Sequence, residues 1–177
     1  NYGNLNLSEN NDDFWNFGSF AISPINQVEF IRNLYDEKLP FSRRNIQIVK
    51  RVLITEETDD FTIRAKTGWT RENNINTGWW VGYLEANNNT YFFATSLCQN
   101  RKNNRDDFGT CRKEITKKIL NELGFINNPD EKSKDSSSLF SSIDHIPIVV
   151  NDLKKVRDIF KNQLHFTVKE GKAHEGI

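Results

Sequence analysis

Apolar residues between positions 23 and 53 recur every three or four positions, which predicts two amphipathic helices. Ser23 and Pro24 begin the first helix, because a serine hydroxyl can cap the first turn and the fixed φ of proline suits its first residue. Ser42 caps the second helix. The first helix is predicted to extend to Leu39-Pro40, with its apolar face formed by Val28, Ile31, Leu34 and Tyr35. The predicted buried stripe of the second helix consists of Ile46, Val49 and Leu53.

From position 61 the pattern changes to runs of β-branched and aromatic residues, which predict strands. The first run begins at residue 61 and leads into the sequence Lys-Thr-Gly-Trp at 66–69. An asparagine-rich segment connects it to a second run at 78–84, and two such runs joined by a polar loop indicate antiparallel strands. After a turn at 87–89, residues 90–97 form a third strand, apolar enough to lie centrally in a sheet.

A charged loop at 101–109 precedes the last amphipathic helix of this part of the chain. We predict this helix from Arg112 to Leu123, with Gly124 as its stop. Its buried positions are Ile115, Ile119, Leu120 and Leu123. The order helix, helix, three strands, helix predicts an α+β fold in which helices pack on an antiparallel sheet.

The composition changes after Ile126. Residues 127–142 contain serine, aspartate and lysine but little apolar material, so we interpret them as a linker. Residues 143–150 read as a strand, Asp152 caps a helix, and 164–168 begin another strand. This β-α-β segment of about 35 residues is too short to bury a core of its own. We therefore interpret 143–177 as the incomplete beginning of a second domain.

Charge and composition exclude some classes of function. The 24 basic and 24 acidic residues cancel, so nothing indicates an electrostatic nucleic-acid binder. No apolar run approaches the ~18 residues of a membrane span. Cys98 and Cys111 could pair, although two free thiols are the favoured state. The chain contains no methionine and opens on Asn1, so we interpret it as a fragment of a longer protein, with any signal peptide upstream.

The chemistry of this chain is concentrated at residues 66–69. Lys66 supplies a cation and Thr67 a hydroxyl donor, and both suit a carboxylate. Gly68 lets a ligand lie close to the backbone, and the N–H of the next residue, Trp69, could polarise a carbonyl group. Alone, such a triplet is more often an exposed strand edge, so its interpretation depends on companion motifs.

Four motifs occur together in one order. They are Tyr2-Gly3-Asn4, Phe14-Trp15 with Gly18, Lys66-Thr67-Gly68-Trp69 and Gly78-Trp79-Trp80-Val81-Gly82. In this order and approximate spacing, residues 1–126 resemble the C-terminal half of class D serine β-lactamases. The resemblance implies the penicillin-binding, transpeptidase-like α+β fold, β-lactam antibiotics as ligands and no metal cofactor. It also implies a serine that the β-lactam acylates, a carboxylated lysine that activates water, and a periplasmic or secreted parent protein.

The same resemblance implies roles for individual residues. Lys66 and Thr67 would hold the β-lactam carboxylate and shape the proton relay, and the N–H of Trp69 would form half of an oxyanion hole. Trp15 would hold the carboxylated lysine through its indole N–H. The catalytic set is thus Lys66, Trp15 and Trp69. The substrate-binding set is Tyr2, Asn4, Thr67, Gly68 and Arg112, with Arg112 opening the last helix and pairing with the carboxylate.

Two family motifs are absent from these residues, namely S-x-x-K and S-x-V. Because both lie upstream of Tyr2 in the family, truncation explains their absence better than divergence. Three functions stay open: β-lactam hydrolysis in a full-length parent that carries S-x-x-K, a penicillin-binding sensor domain that stays acylated, and a non-catalytic remnant.

The tail resembles the opening of a glyoxalase-like (vicinal oxygen chelate) domain through Asp144-His145 and the segments 150–153 and 164–166. In a complete domain of that family the strand histidine is often a ligand of a divalent metal, which makes His145 a weak candidate. One imidazole is not a metal site, and the other ligands would lie beyond position 177. Whether the tail naturally belongs to the same polypeptide stays open.

The missing nucleophile generates a direct prediction. The purified 177-residue chain is expected neither to hydrolyse penicillins nor to be labelled covalently by a fluorescent penicillin, because no S-x-x-K serine is present. We also expect it to be poorly stable, since half a sheet leaves an unpaired edge and an exposed apolar face. In-gel fluorescence after labelling measures the first expectation, and stoichiometric labelling would contradict it.

Overall fold

The computed structural model describes residues 2–6, 19–103 and 106–126. The predicted linker, the predicted second domain, Trp15 and His145 lie outside the described residues.

The two N-terminal helices begin where the capping residues predict. Helix α1 spans Pro24–Tyr35, and the backbone N–H of Asn26 donates to Ser23 Oγ at 3.1 Å. Helix α2 spans Arg43–Val52, capped in the same way by Ser42. Helix α1 ends before the predicted Leu39-Pro40, because Glu37 takes a left-handed φ of 58° that no continuing helix allows.

The predicted buried stripe of α2 is wrong at Val49, whose side chain is 43% exposed. Lys50 instead turns inward and is only 15% exposed. Its Nζ donates to the main-chain oxygen of Tyr35 at 2.7 Å, so a lysine ammonium satisfies a carbonyl at the end of α1. This contact sets the rotation of α2, which buries Ile46 and leaves Val49 outside.

Four antiparallel strands form one sheet in the order β1-β2-β3-β4. They are β1 Ile54–Glu57, β2 Phe61–Glu72, β3 Ile75–Ala86 and β4 Asn89–Asn100. The sequence predicted only three strands, because the polar segment Ile-Thr-Glu-Glu of β1 shows no apolar alternation.

Two-residue turns join the three long strands. Residues 73–74 connect β2 to β3 and residues 87–88 connect β3 to β4. All four turn residues are asparagines with φ between 50° and 61°. Asparagine tolerates this left-handed conformation, and paired positive φ values are what a tight β-hairpin of the favoured twist requires. The prediction of antiparallel strands joined by asparagine-rich turns is confirmed.

The prediction that the strand at 90–97 lies centrally is wrong for the part of the chain that the structure describes, where β4 is at one end of the sheet. Its apolar character has another cause, since helices cover both of its faces. On one face the ring of Phe92 lies 5.5 Å from the ring of Tyr35 in α1. On the other face Thr95 contacts Thr116 of α3.

Helix α3 spans Phe108–Glu122, four residues longer at its start than predicted. The charged segment ending at Gly109 was predicted to be a loop. In the structure Gly109 lies in the first turn of α3, against the ring of Trp69. A Cβ at Gly109 would come within 3.1 Å of Trp69. Gly124 ends the helix with φ 73°, as predicted. The core between α3 and the sheet contains Phe61, Ile63, Ala65, Trp80, Leu84, Ala86, Phe93, Leu120 and Ile126.

In the segments the structure describes, no helix is both long enough and apolar enough to cross a bilayer. Within the same segments, no three side chains of metal-binding type come together.

Gly82 generates a stability prediction. A Cβ at this position would meet the backbone of β2, coming within 2.6 Å of the Ala65 Cα. We expect Gly82→Ala in the full-length parent to destabilise the fold by about 1–3 kcal/mol, because a backbone clash cannot be relieved by a side-chain rotation. Gly68→Ala is the matched control in the same strand pair, since its Cβ would lie an ordinary 3.6 Å from Trp79. Equal urea midpoints for the two variants would contradict the close approach at Gly82.

Candidate active site

The outer edge of β2 changes character halfway along its length. Strand β1 pairs with β2 only as far as Arg64, and the Leu53 carbonyl then accepts from the Ala65 N–H at 2.8 Å. Within the described ranges, no strand pairs with this edge from residue 66 to residue 72. The outer edge of β2 is therefore open at residues 66–69, whereas the inner edge of the same residues is paired with β3.

The alternation of an antiparallel ladder decides which backbone groups face this edge. The Ala65 N–H points away from β3, since it donates to Leu53. In a regular strand every second residue points the same way, so the N–H groups of Thr67 and Trp69 also face outward. The position predicted for an oxyanion donor is thus an N–H on an open edge.

Lys66 brings its charge to the same edge. Its Nζ donates to the main-chain oxygen of Thr67 at 2.8 Å, and the side chain is otherwise exposed. By alternation Lys66 shares a strand face with Arg64, whose register partner Tyr83 packs on Tyr35 at 5.1 Å between ring centroids. Lys66 therefore projects from the face of the sheet that α1 covers.

Trp69 and its neighbours occupy the opposite face. Trp69 is the register partner of Gly78, and its ring lies 5.0 Å from the ring of Phe108 in α3. A Cβ at Gly78 would come within 2.9 Å of Arg112 Nη1 and 3.0 Å of the Phe108 ring. The glycine of the Gly-Trp-Trp motif is thus the gap through which Arg112 reaches β2. The sequence marked Gly78 as part of a motif but showed no reason for it.

Arg112 lies in the second turn of α3 and not at its start, which corrects the predicted position. It is only 7% exposed. Its Nη1 donates to the Gly68 carbonyl at 3.3 Å, and its Cζ lies 5.4 Å from the centroid of the Trp69 ring. A guanidinium in this position adds positive charge next to residues 66–69, on the face of β2 that packs against α3.

The charge of Arg112 is poorly compensated. Burial lowers its pKa, and no carboxylate among the described residues offsets that burial. Its Nε is also buried without a hydrogen-bond partner in the described part of the chain. A guanidinium stays protonated in proteins, so the site retains a buried positive charge with an unused donor at Nε. Such a group favours an anionic ligand.

Arg71 is a second cation at this site, which sequence reasoning missed. Its Cζ lies 5.2 Å from the Trp69 ring centroid, so two guanidiniums flank one indole. The alternation of residues 67, 69 and 71 on one strand face was the signal that could have identified it. Trp69 itself is 39% exposed, and its Nε1 donates to Asn76 Oδ1 at 3.4 Å.

Tyr2 and Asn4 form a separate group against α1. The Tyr2 hydroxyl accepts from Gln27 Nε2 at 3.1 Å, and its ring lies 4.7 Å from the ring of Phe30. The Asn4 amide donates to the Ser19 carbonyl at 2.7 Å and accepts from the Ala21 N–H at 3.1 Å. The Asn4 side chain thus holds the N-terminal turn against residues 19–21.

The structure brings five of the eight predicted site residues together and places Tyr2 and Asn4 apart from them. The group at the open edge consists of Lys66, Thr67, Gly68, Trp69 and Arg112. No hydrogen bond or ring contact within the described residues joins Tyr2 or Asn4 to that group. Trp15 lies outside the described residues, so its role stays a prediction.

Residues 1–121 match the family model of the penicillin-binding protein transpeptidase domain. The chain belongs to this family. Two curated relatives of this transpeptidase domain are β-lactamase OXA-48 from Klebsiella pneumoniae and the probable β-lactamase YbxI from Bacillus subtilis strain 168. Both are 40% identical to it, over 68% and 72% of the chain respectively. The transpeptidase domain spans only 44% of the length of each relative.

Solved structures give the same picture. A class D β-lactamase from Sebaldella termitidis ATCC 33386 is 42% identical, with a TM-score of 0.67 over 71% of this chain and 51% of that one. The class D β-lactamase YbXI from Nostoc is 41% identical, with a TM-score of 0.64 over 71% of this chain and 52% of that one. The predicted transpeptidase-like α+β fold is confirmed. The glyoxalase-like domain predicted at 143–177 stays a prediction.

Proposed function

We propose that residues 1–126 are the substrate-binding half of a class D serine β-lactamase, which opens the β-lactam ring through an acyl-enzyme and releases the product with water. The observation that carries this proposal is the open edge of β2. There, the Lys66 ammonium lies on one face of the strand and the Trp69 N–H points outward from the edge, while the buried Arg112 guanidinium contacts the Gly68 carbonyl from the other face. The relatives and solved structures described above are named as β-lactamases, which supports hydrolysis.

A β-lactam would lie along this edge as an additional strand-like segment. The Trp69 N–H would donate one of the hydrogen bonds that stabilise the developing oxyanion. Lys66, on the N-terminal side of Trp69, and Thr67 would bind the ring carboxylate at the edge, with Arg112 adding positive charge from behind Gly68. No metal takes part in this scheme.

The nucleophile and the base come from outside these residues in our proposal, from the S-x-x-K motif of the full-length parent. Its lysine would carry a carboxylate, and Trp15 would hold that group with its indole N–H. We further propose that the parent is periplasmic or secreted and confers resistance to β-lactam antibiotics. A divalent metal would belong only to a completed tail domain with His145.

The role of Arg112 provides the first test. If the guanidinium seats the ring carboxylate, Arg112→Ala in the full-length parent should raise KM for a penicillin roughly ten- to a hundredfold with a smaller change in kcat, since a charge-assisted contact of ~1.5–3 kcal/mol is lost. The same substitution should have little effect on the methyl ester of that penicillin, which lacks the carboxylate charge. Steady-state hydrolysis of the acid and the ester measures both.

Lys113→Ala is the matched control for Arg112, because it removes an exposed cation from the same helix. Kinetics of Arg112→Ala that match those of Lys113→Ala across several penicillins would reduce Arg112 to a packing residue.

The second test distinguishes the hydrolase from a penicillin-binding sensor. A lysine ammonium among Phe14, Trp15 and Phe17 would be costly as a cation, so its pKa would fall and the neutral amine could take up carbon dioxide. Trp15→Ala in the parent should weaken that carboxylation, slow deacylation more than acylation, and make activity recover when bicarbonate is added. Burst kinetics with and without bicarbonate give the two rates.

The outcomes of this test separate the alternatives. A parent that is acylated but never turns over, with or without bicarbonate, would favour the sensor. Unchanged deacylation of Trp15→Ala in an active parent would limit Trp15 to packing.

A further inference from the structure

A buried pair of hydroxyls connects the sheet to α3. Thr95 of β4 and Thr116 of α3 are fully buried, and their Oγ1 atoms lie 2.5 Å apart. The Thr116 hydroxyl also donates to the main-chain oxygen of Arg112 at 2.7 Å. A hydroxyl has one hydrogen, so Thr116 accepts from Thr95 and donates to Arg112. The three groups form a directed chain from the sheet to the backbone of Arg112.

Arg112 is therefore held at both ends. Its main chain is tied to β4 through the two hydroxyls, and its guanidinium passes over Gly78 to the Gly68 carbonyl. The passage is narrow, because even a Cβ at Gly78 would come within 2.9 Å of Nη1. No described carboxylate helps to fix the side chain. A small displacement of α3 would move the guanidinium away from the edge of β2.

We propose that the Thr95–Thr116 hydroxyl pair is a positioning element for Arg112: it sets the placement of α3 on β4 so that the guanidinium reaches the carboxylate of a bound β-lactam. The inference rests on the proposed function, since it needs Arg112 to bind that carboxylate. Thr95 and Thr116 do not touch the substrate, so they act through Arg112 alone.

Packing alone does not explain why both positions are threonine. Valine would fill nearly the same space, and the hydrogen bond of a buried threonine does little more than offset the free energy of burying its hydroxyl. Replacing both partners of a buried hydrogen bond by apolar groups of the same shape is often nearly neutral for stability. The double substitution Thr95→Val with Thr116→Val therefore separates stability from positioning.

The experiment uses the full-length parent with a penicillin and its methyl ester. We expect the double-valine variant to keep its melting temperature within about 4 °C, because replacing both partners of the buried hydrogen bond is nearly neutral for stability. We expect its KM for the penicillin to rise about five- to tenfold while kcat changes less than about twofold, because binding of the carboxylate is weakened equally in the ground state and in the transition state. KM for the ester should stay unchanged.

Two single variants serve as controls. Thr116→Ser keeps the hydroxyl and should retain the KM of the parent. Thr90→Val removes a different hydroxyl contact of the same strand, between Thr90 and the Tyr35 hydroxyl of α1 at 3.0 Å. Because that contact does not lead to Arg112, this variant should also retain the KM of the parent.

A double-mutant cycle decides the inference. In an Arg112→Ala background the double-valine change should alter KM by less than about 1.5-fold, because groups that act through one partner lose their effect when that partner is removed. If the fold-changes in KM of the double-valine change and of Arg112→Ala multiply, the hydroxyl pair acts independently of Arg112 and the positioning role is overturned. The role is also overturned if the double-valine variant keeps the KM of the parent. An unchanged KM in Arg112→Ala alone would show that Arg112 does not bind the carboxylate and would overturn the positioning role, while hydrolysis of the penicillin by the parent would still support the proposed function.

Discussion

The pairing of β2 with β3 along their full lengths is the constraint on which the rest of this structure depends. Its register places every residue from Phe61 to Glu72 opposite one partner without a bulge. Because the ladder is regular, the direction of each backbone group on the free edge follows from that of Ala65. A shift by one residue would turn the Trp69 N–H inward and exchange the two faces of the strand. Register is thus a chemical property of this site as well as a structural one.

A buried guanidinium is the second feature that organises the site. Ionic groups inside proteins are normally paired, because desolvation of an unpaired charge is costly. Arg112 is held by a carbonyl and an indole, and these partners orient it without neutralising it. Glycine at position 78 leaves the room that the side chain needs, since a Cβ there would come within 2.9 Å of Arg112 Nη1. The packing of helix α3 on strand β3 therefore requires a residue without a side chain at position 78.

Local signals predicted much of this fold, whereas contacts distant in sequence explain the errors. Ser23 was identified as a cap because capping involves only its own next three residues. The inward face of α2 was wrong at Val49, because the rotation of that helix depends on a contact between Lys50 and the end of α1. Lys66 to Trp69 could be identified as a site from order and residue type. The path of Arg112 could not, since it depends on which residue of β3 faces Trp69.

The open edge of β2 has a consequence for the behaviour of the protein in solution. Unpaired N–H and C=O groups in a row are a template for another extended chain, and a lysine is one of the residues that natural edge strands use to discourage such pairing. Lys66 places its charge beside the Thr67 carbonyl, at the start of the unpaired stretch. The ammonium that suits a small anionic ligand thus also opposes intermolecular strand addition.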